Sequence, residues 1–222
     1  MKFGVLFSGG KDSTYAAYLA KKGGYELSCL ISIISENPDS FMFHTPSISC
    51  VEKQAEVMGI PLIMIKTSGE KEKELLDLEK GIKIAIKKYK INGIVTGAVE
   101  SVYQSSRIQV ICNKLKIECF NPLWQKGQIE LLKELIKCKF EVIITSVAAY
   151  PFDVSWILRK VDGRFIKDVS KLADKYKINP AGEGGEFESL ILNCPLFKKR
   201  LKVIGFKTSG SGNAFRSEVS IL

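Results

Sequence analysis

The chain has 222 residues, 45% of them hydrophobic and 26% charged, an ordinary balance for a globular protein with room for a sizeable core. No apolar run reaches the roughly 18 residues of a membrane span and no secretory signal pattern precedes the first apolar run, so a cytoplasmic protein without membrane contacts is expected. The formal charge of +9 suits an acidic partner or simply a lysine-rich solvated surface; with no aromatic RNA-binding motif beside it, nucleic acid is not expected.

In chain order, residues 3–7 read as a strand and 13–22 as a helix ended by Gly23-Gly24. A continuous apolar strand follows at 27–35, then a helix at 49–58, a strand at 62–66 and a long helix at 70–89, whose lysines and glutamates look like surface pairs. A strand at 93–96, a helix at 101–115 and a short strand at 118–120 complete the first half. Strands of this length alternating with helices predict an α/β fold with a doubly wound, Rossmann-like parallel sheet. After Asn121-Pro122 the rhythm weakens. A helix at 128–138 and a strand at 141–146 are followed by loops rich in Asp, Gly and Pro, and the tail from residue 201 is strand-like but broken at Ser209-Gly210-Ser211-Gly212. We therefore expect two domains, residues 1–120 and a smaller mixed α/β domain at 121–222. The six cysteines are scattered with no C-x-x-C pair and read as buried thiols.

Two segments carry chemistry. The first is Ser8-Gly9-Gly10-Lys11-Asp12-Ser13, directly after the first strand. Strand, glycine turn and helix start form the geometry in which backbone N–H groups hold a phosphate. Lys11 supplies positive charge, and Ser8 and Ser13 supply hydroxyl donors. Asp12 beside a polyphosphate calls for a bridging Mg²⁺, which makes Asp12 the candidate metal ligand. The segment is neither a Walker A loop nor a dinucleotide fingerprint, because the spacing of its glycines differs from both. Ligands of such sheets bind beyond the carboxyl ends of the strands, which adds Gly97 to the nucleotide candidates. The second segment is Asn179-Pro180-Ala181-Gly182-Glu183-Gly184-Gly185-Glu186-Phe187-Glu188-Ser189, an acidic, flexible stretch in a basic protein. It is either a solvated turn or a pocket for a cation. His44, the only histidine, is a structural residue or a nucleotide or substrate contact.

The hexapeptide at 8–13 resembles the PP-loop of the ATP pyrophosphatases, which cleave ATP to AMP and pyrophosphate through an adenylated substrate. Together with S-F-M-F-H-T-P at 40–46, Y-Q-S-S-R at 103–107, P-L-W at 122–124 and G-E-G-G-E-F-E-S at 182–189, the chain is similar to the diphthine–ammonia ligase family over nearly its whole length. The family usually reads Trp-Leu-Gly-Arg where this chain has Trp156-Ile157-Leu158-Arg159, a departure that bears on any close backbone approach there. Larger eukaryotic members carry additional C-terminal domains, which are not expected here.

The resemblance implies ATP- and Mg²⁺-dependent adenylation of the diphthine carboxylate on the translation elongation factor, then amidation by ammonia. It implies an ATP-binding first domain and a substrate-binding second one. Catalytic roles would fall to Lys11, Asp12, Arg107 and Glu186, and nucleotide contacts to residues 8–13 and Gly97. Substrate contacts would come from His44, Tyr103, Trp156, Arg159, Glu183, Gly184, Gly185, Glu186, Phe187 and Glu188; diphthine's trimethylammonium group suits aromatic faces and carboxylates. With one histidine and no second module for a Cys–His glutaminase, free ammonia is the expected nitrogen donor. The oligomeric state stays open, a homodimer being one arrangement. Two alternatives stand beside this reading: a PP-loop enzyme adenylating a tRNA base, and an ATP-binding sensor without turnover.

Overall fold

The computed structural model of the protein describes residues 1–35, 48–68, 70 and 73–222. It divides into two compact units, Met1–Trp124 and Gln125–Leu222.

The first unit holds five parallel strands: β1 (Lys2–Leu6), β2 (Glu26–Ser35), β3 (Leu62–Thr67), β4 (Gly93–Val95) and β5 (Glu118–Phe120). Their order is β3-β2-β1-β4-β5. The chain steps outward from β1 to β3 and then returns to the other side of β1, so the switch point of a doubly wound sheet lies between β1 and β4. Four helices make the crossovers: α1 (Lys11–Lys22), α2 (Ile48–Met58), α3 (Lys73–Tyr89) and α4 (Val102–Leu115). Right-handed crossovers place the helices before the reversal and those after it on opposite faces.

Strands covered on both faces read as unbroken apolar runs. Cys29 to Ile33 in β2 are all buried, and the one polar member, Ser32, donates its hydroxyl to the Phe7 carbonyl at 2.6 Å. On one face Ile31, Ile33 and Ile94 pack with Leu78, Ile82 and Ala85 of α3 and Ile108, Ile111 and Cys112 of α4. Each fully buried Ile or Leu stabilises the fold by about 1.5–3 kcal/mol relative to an exposed one. Glu79 of α3 adds a polar tie, taking Lys83 at 2.7 Å and Lys114 of α4 at 2.8 Å.

The second unit is a four-stranded antiparallel sheet with two helices. The helices are α5 (Gln128–Lys137) and α6 (Gly163–Tyr176); the strands are β6 (Glu141–Ala148), β7 (Phe187–Asn193), β8 (Val203–Ser211) and β9 (Ala214–Ile221), in the order β7-β6-β9-β8. Helix α6 and strand β7 stand where the composition suggested loops. Asp162 caps α6 by accepting from the Phe165 amide at 2.8 Å, and Phe165 and Val169, four residues apart, are both fully buried. The tail is one hairpin: β8 continues through Ser209-Gly210-Ser211, and the chain reverses at Gly212, whose φ is +58°.

All six cysteines are free thiols, with Cys29, Cys50, Cys112 and Cys194 buried and Cys119 and Cys138 partly so. Burial pushes the Cys29 and Cys194 thiols up to about 12. No helix among the described residues is long and apolar enough to cross a membrane.

Candidate active site

The loop after β1 is built by its own residues. Gly9 has φ +78°, a conformation L side chains rarely adopt, and its carbonyl accepts from Gln54 Nε2 of α2 at 3.0 Å. A Cβ at position 9 would lie 2.3 Å from Gln54 Oε1. Ser8 and Ser13 meet across the turn: the Ser8 amide donates to Ser13 Oγ at 3.2 Å, and the two hydroxyls lie 3.1 Å apart. Gly10, extended, is the N-cap of α1, so the helix begins at Lys11, two residues earlier than the sequence pattern suggests. Lys11 and Asp12 therefore stand in the first turn, where backbone N–H groups have no partner inside the helix and the helix dipole favours an anion.

Lys11 is 4% exposed, with its Nζ 2.8 Å from Asp12 Oδ2. The other carboxylate oxygen, Asp12 Oδ1, is buried without a hydrogen-bond partner among the described residues. Gly97, two residues past β4 across the switch point, supports the same turn from beneath. A Cβ there would lie 2.7 Å from both the Asp12 carbonyl carbon and the Ser13 nitrogen.

The start of α4 lies beyond the C-terminal end of β4, on the sheet edge that carries the loop. Ser101 caps it, accepting from the Gln104 amide at 3.2 Å, and Arg107 stacks its guanidinium 3.7 Å above the Tyr103 ring. Just past β5, the side-chain nitrogen and oxygen of Asn121 are buried without hydrogen-bond partners among the described residues. His44 and the rest of the 40–46 motif lie outside the described residues.

In the second unit the glycine–glutamate segment is a clamped loop. Glu186 is 7% exposed; its Oε1 accepts from the Asn179 amide at 2.7 Å and Asn179 Nδ2 at 2.8 Å, and its Oε2 from the Gly184 amide at 2.8 Å. Gln128, the first residue of α5, closes the ring. It donates to Asn179 Oδ1 and accepts from the Ala181 amide, both at 3.0 Å. A carboxylate has about four acceptor sites, and three of those of Glu186 are occupied by the loop. Glu183 and Glu188 are partly buried and Gly184 and Gly185 exposed, so the rim of this loop is what faces outward.

Two of the expected substrate contacts sit in the core of the second unit. Phe187 is 4% exposed and packs edge-on against Phe152 and Phe165 at 5.9 and 5.7 Å. Trp156 is buried with them, 4.8 Å from Phe152, and one ring face is taken by the Arg159 guanidinium at 4.3 Å. Neither ring is open to an external cation. Arg159 is itself paired with Asp168 and holds that carboxyl below the usual range. Leu158, where the family usually has glycine, adopts φ +61° and donates its amide to Ile144 at 2.8 Å. The position calls for a left-handed residue, which glycine supplies without strain.

Gln54 and Gln128 were not singled out by the sequence pattern, Asn121 marked only the change of rhythm between the domains, and Asn179 entered only as the start of the glycine–glutamate segment. The one available signal is a polar residue within an otherwise apolar face, and it is weak.

Residues 1–119 match the diphthamide synthase N-terminal domain, and residues 127–215 match the diphthamide synthase C-terminal domain. The chain belongs to the diphthamide synthase family. Diphthine–ammonia ligase of Rattus norvegicus is 32% identical to it, over 91% of this chain and 83% of its own length. The Homo sapiens protein of the same name is 31% identical over the same shares. That of Schizosaccharomyces pombe is 31% identical over 90% of this chain but only 36% of its own.

The loop of this family member fits a magnesium–nucleotide ligand. Asp12 Oδ1 is a buried carboxylate oxygen without a partner among the described residues, beside a helix N-terminus and a buried lysine. Among the described residues no group of three or more His, Cys, Asp or Glu could hold a metal by itself. Mg²⁺ commonly takes one or two carboxylates and completes its shell with phosphate oxygens and water.

Proposed function

We propose that this protein is an ATP-dependent diphthine–ammonia ligase of the cytoplasm. It adenylates the diphthine carboxylate on a translation elongation factor and amidates it with ammonia. The observation that carries this reading is the match of both family domains, in order, on a chain whose phosphate-type loop lies at the switch point of the sheet.

The diphthine carboxylate attacks the α-phosphorus of ATP, the bond to the bridging oxygen of the β-phosphate breaks, and pyrophosphate leaves. Ammonia then adds to the acyl carbon, AMP departs with its oxygen, and one proton is lost to give the amide. The loop's work is positioning and charge stabilisation. First-turn amides and the Ser8 and Ser13 hydroxyls orient the phosphates, while Lys11 turns from Asp12 toward the oxygens of the leaving pyrophosphate. Gly9, Gly10 and Gly97 let backbone and ligand approach. Asp12 Oδ1 would hold Mg²⁺, which supplies charge neutralisation between carboxylate and phosphates. Arg107, kept flat by Tyr103, adds positive charge for a phosphate or the substrate carboxylate. Glu183, Gly184, Gly185 and Glu188 form an acidic rim suited to a trimethylammonium group, and Glu186 holds that rim in shape.

The test combines purified protein, ATP, Mg²⁺ and diphthine-bearing elongation factor, with ammonium or glutamine as nitrogen source. AMP release that needs both the elongation factor and ammonium is expected. AMP release driven by tRNA instead, or ATP binding without AMP under every mixture, would replace this reading with base modification or a sensor.

A further inference from the structure

Strand β8 is the outermost strand of the second sheet and among the described residues pairs only with β9, so its other edge presents backbone N–H and C=O groups along nine residues. Beside that edge Ile204 is 64% and Phe206 60% exposed. Phe206 lies opposite buried Val219, so it extends the apolar face of the sheet past the point where that face is covered.

The charged residues of β8 and of the segment leading into it are all basic. No Asp or Glu occurs between Glu188 and Glu218. Lys198, Lys199, Lys202 and Lys207 are exposed and make no ion pair among the described residues, and Glu218, opposite Lys207 in the ladder, does not reach it as a pair. Arg200 is the exception, held by Glu141 at 2.7 Å. Lysines on an edge strand ordinarily guard against self-association. A second copy docked edge to edge would set lysines against lysines, so the same charges that repel a copy select an acidic strand.

We propose that the β8 edge receives an acidic, extended segment of the protein substrate as an added strand, with Phe206 and Ile204 taking its apolar side chains. Main-chain hydrogen bonds would supply affinity, and the lysines partner choice and rate of encounter. The identity of the partner rests on the ligase reading above.

The test uses the full chain with Lys202→Glu combined with Lys207→Glu, and separately Phe206→Ser. Binding of fluorescently labelled, diphthine-bearing elongation factor is followed by anisotropy at low and high salt, beside ATP binding and thermal melting. Roughly tenfold weaker binding of the elongation factor by both variants is expected, with ATP affinity and melting temperature unchanged, and wild-type binding should weaken with salt. Unchanged binding in both variants overturns the proposal. So does a selective loss of binding to a labelled single-stranded RNA, which would make the edge a nucleic-acid surface. A wild-type protein that binds the elongation factor through this edge yet releases no AMP would overturn the ligase reading and leave the docking surface standing.

Discussion

Gly97 lies flat against the backbone of Asp12: a Cβ at position 97 would stand 2.7 Å from the Asp12 carbonyl carbon. Gly97, two residues past β4, thus sets the height of the loop following β1, and the two sides of the switch point are one mechanical unit. Alanine at Gly97 must lift the first turn of α1. We expect overpacking to cost about 1–3 kcal/mol, read as a lower melting temperature, and ATP affinity measured by calorimetry to fall more than tenfold.

The Gln54–Gly9 hydrogen bond makes a second claim about the loop. Gln54 is fully buried, and its bond holds a glycine in the left-handed region 45 residues away. Gln54→Ala leaves the Gly9 carbonyl without that donor. A loss of about 1–3 kcal/mol in urea-unfolding stability, together with weaker ATP binding, is the expected outcome.

Asp12→Asn separates metal from nucleotide. The amide keeps the shape of the side chain but gives up its charge. ATP binding by the wild-type chain should tighten on adding Mg²⁺ and loosen on adding a chelator. Binding by the variant should respond little to either, and a variant that kept the full Mg²⁺ response would remove Asp12 as the metal ligand.

Glu186 and Phe187 are predicted to behave differently although they are adjacent. Glu186→Gln places an amide NH₂ where a carboxylate now meets three donors, so the loop should loosen, with about 1–3 kcal/mol lost. The Michaelis constant for the elongation factor should rise. Phe187→Leu keeps an apolar core residue and should cost stability while leaving that constant unchanged. Equal effects of the two on substrate binding would restore Phe187 as a ligand contact.

Acid sensitivity follows from Glu79. Its hydrogen bond to Lys114, then that to Lys83, holds its carboxyl below the ordinary range. A depressed folded-state value stabilises the fold fully above the unfolded value of about 4.3, and that contribution is lost as pH falls through the folded value. Glu79→Gln should therefore unfold less steeply between pH 5 and 3 than the wild type, though it starts from a lower stability at pH 7.

The parallel sheet was legible because buried strands write themselves as apolar runs, as in Cys29 to Ile33, and the loop because six residues and a preceding strand agree. The second unit was less so. Helix α6 starts at Asp162-Gly163, a pair that reads equally well as a turn, and only the burial of Phe165 and Val169 decides for a helix. The surroundings of Glu186 and Trp156 were hidden for another reason. A carboxylate's partners are fixed by how its loop curls, and a ring's availability by what lies on its face. Here those are the Asn179 and Gly184 donors and the Arg159 guanidinium, none of which residue type reveals. Leu158 shows the reverse: a departure from a family pattern marked a position whose backbone is left-handed.

The most direct test of the central claim follows the modified histidine itself. Diphthine-bearing elongation factor is incubated with the protein, ATP, Mg²⁺ and ¹⁵N-ammonium, and the histidine peptide is weighed. Incorporation of one ¹⁵N into an amide, matched mole for mole by AMP, is the predicted result. AMP without ¹⁵N in the peptide, or an unchanged carboxylate with ATP still bound, would contradict it.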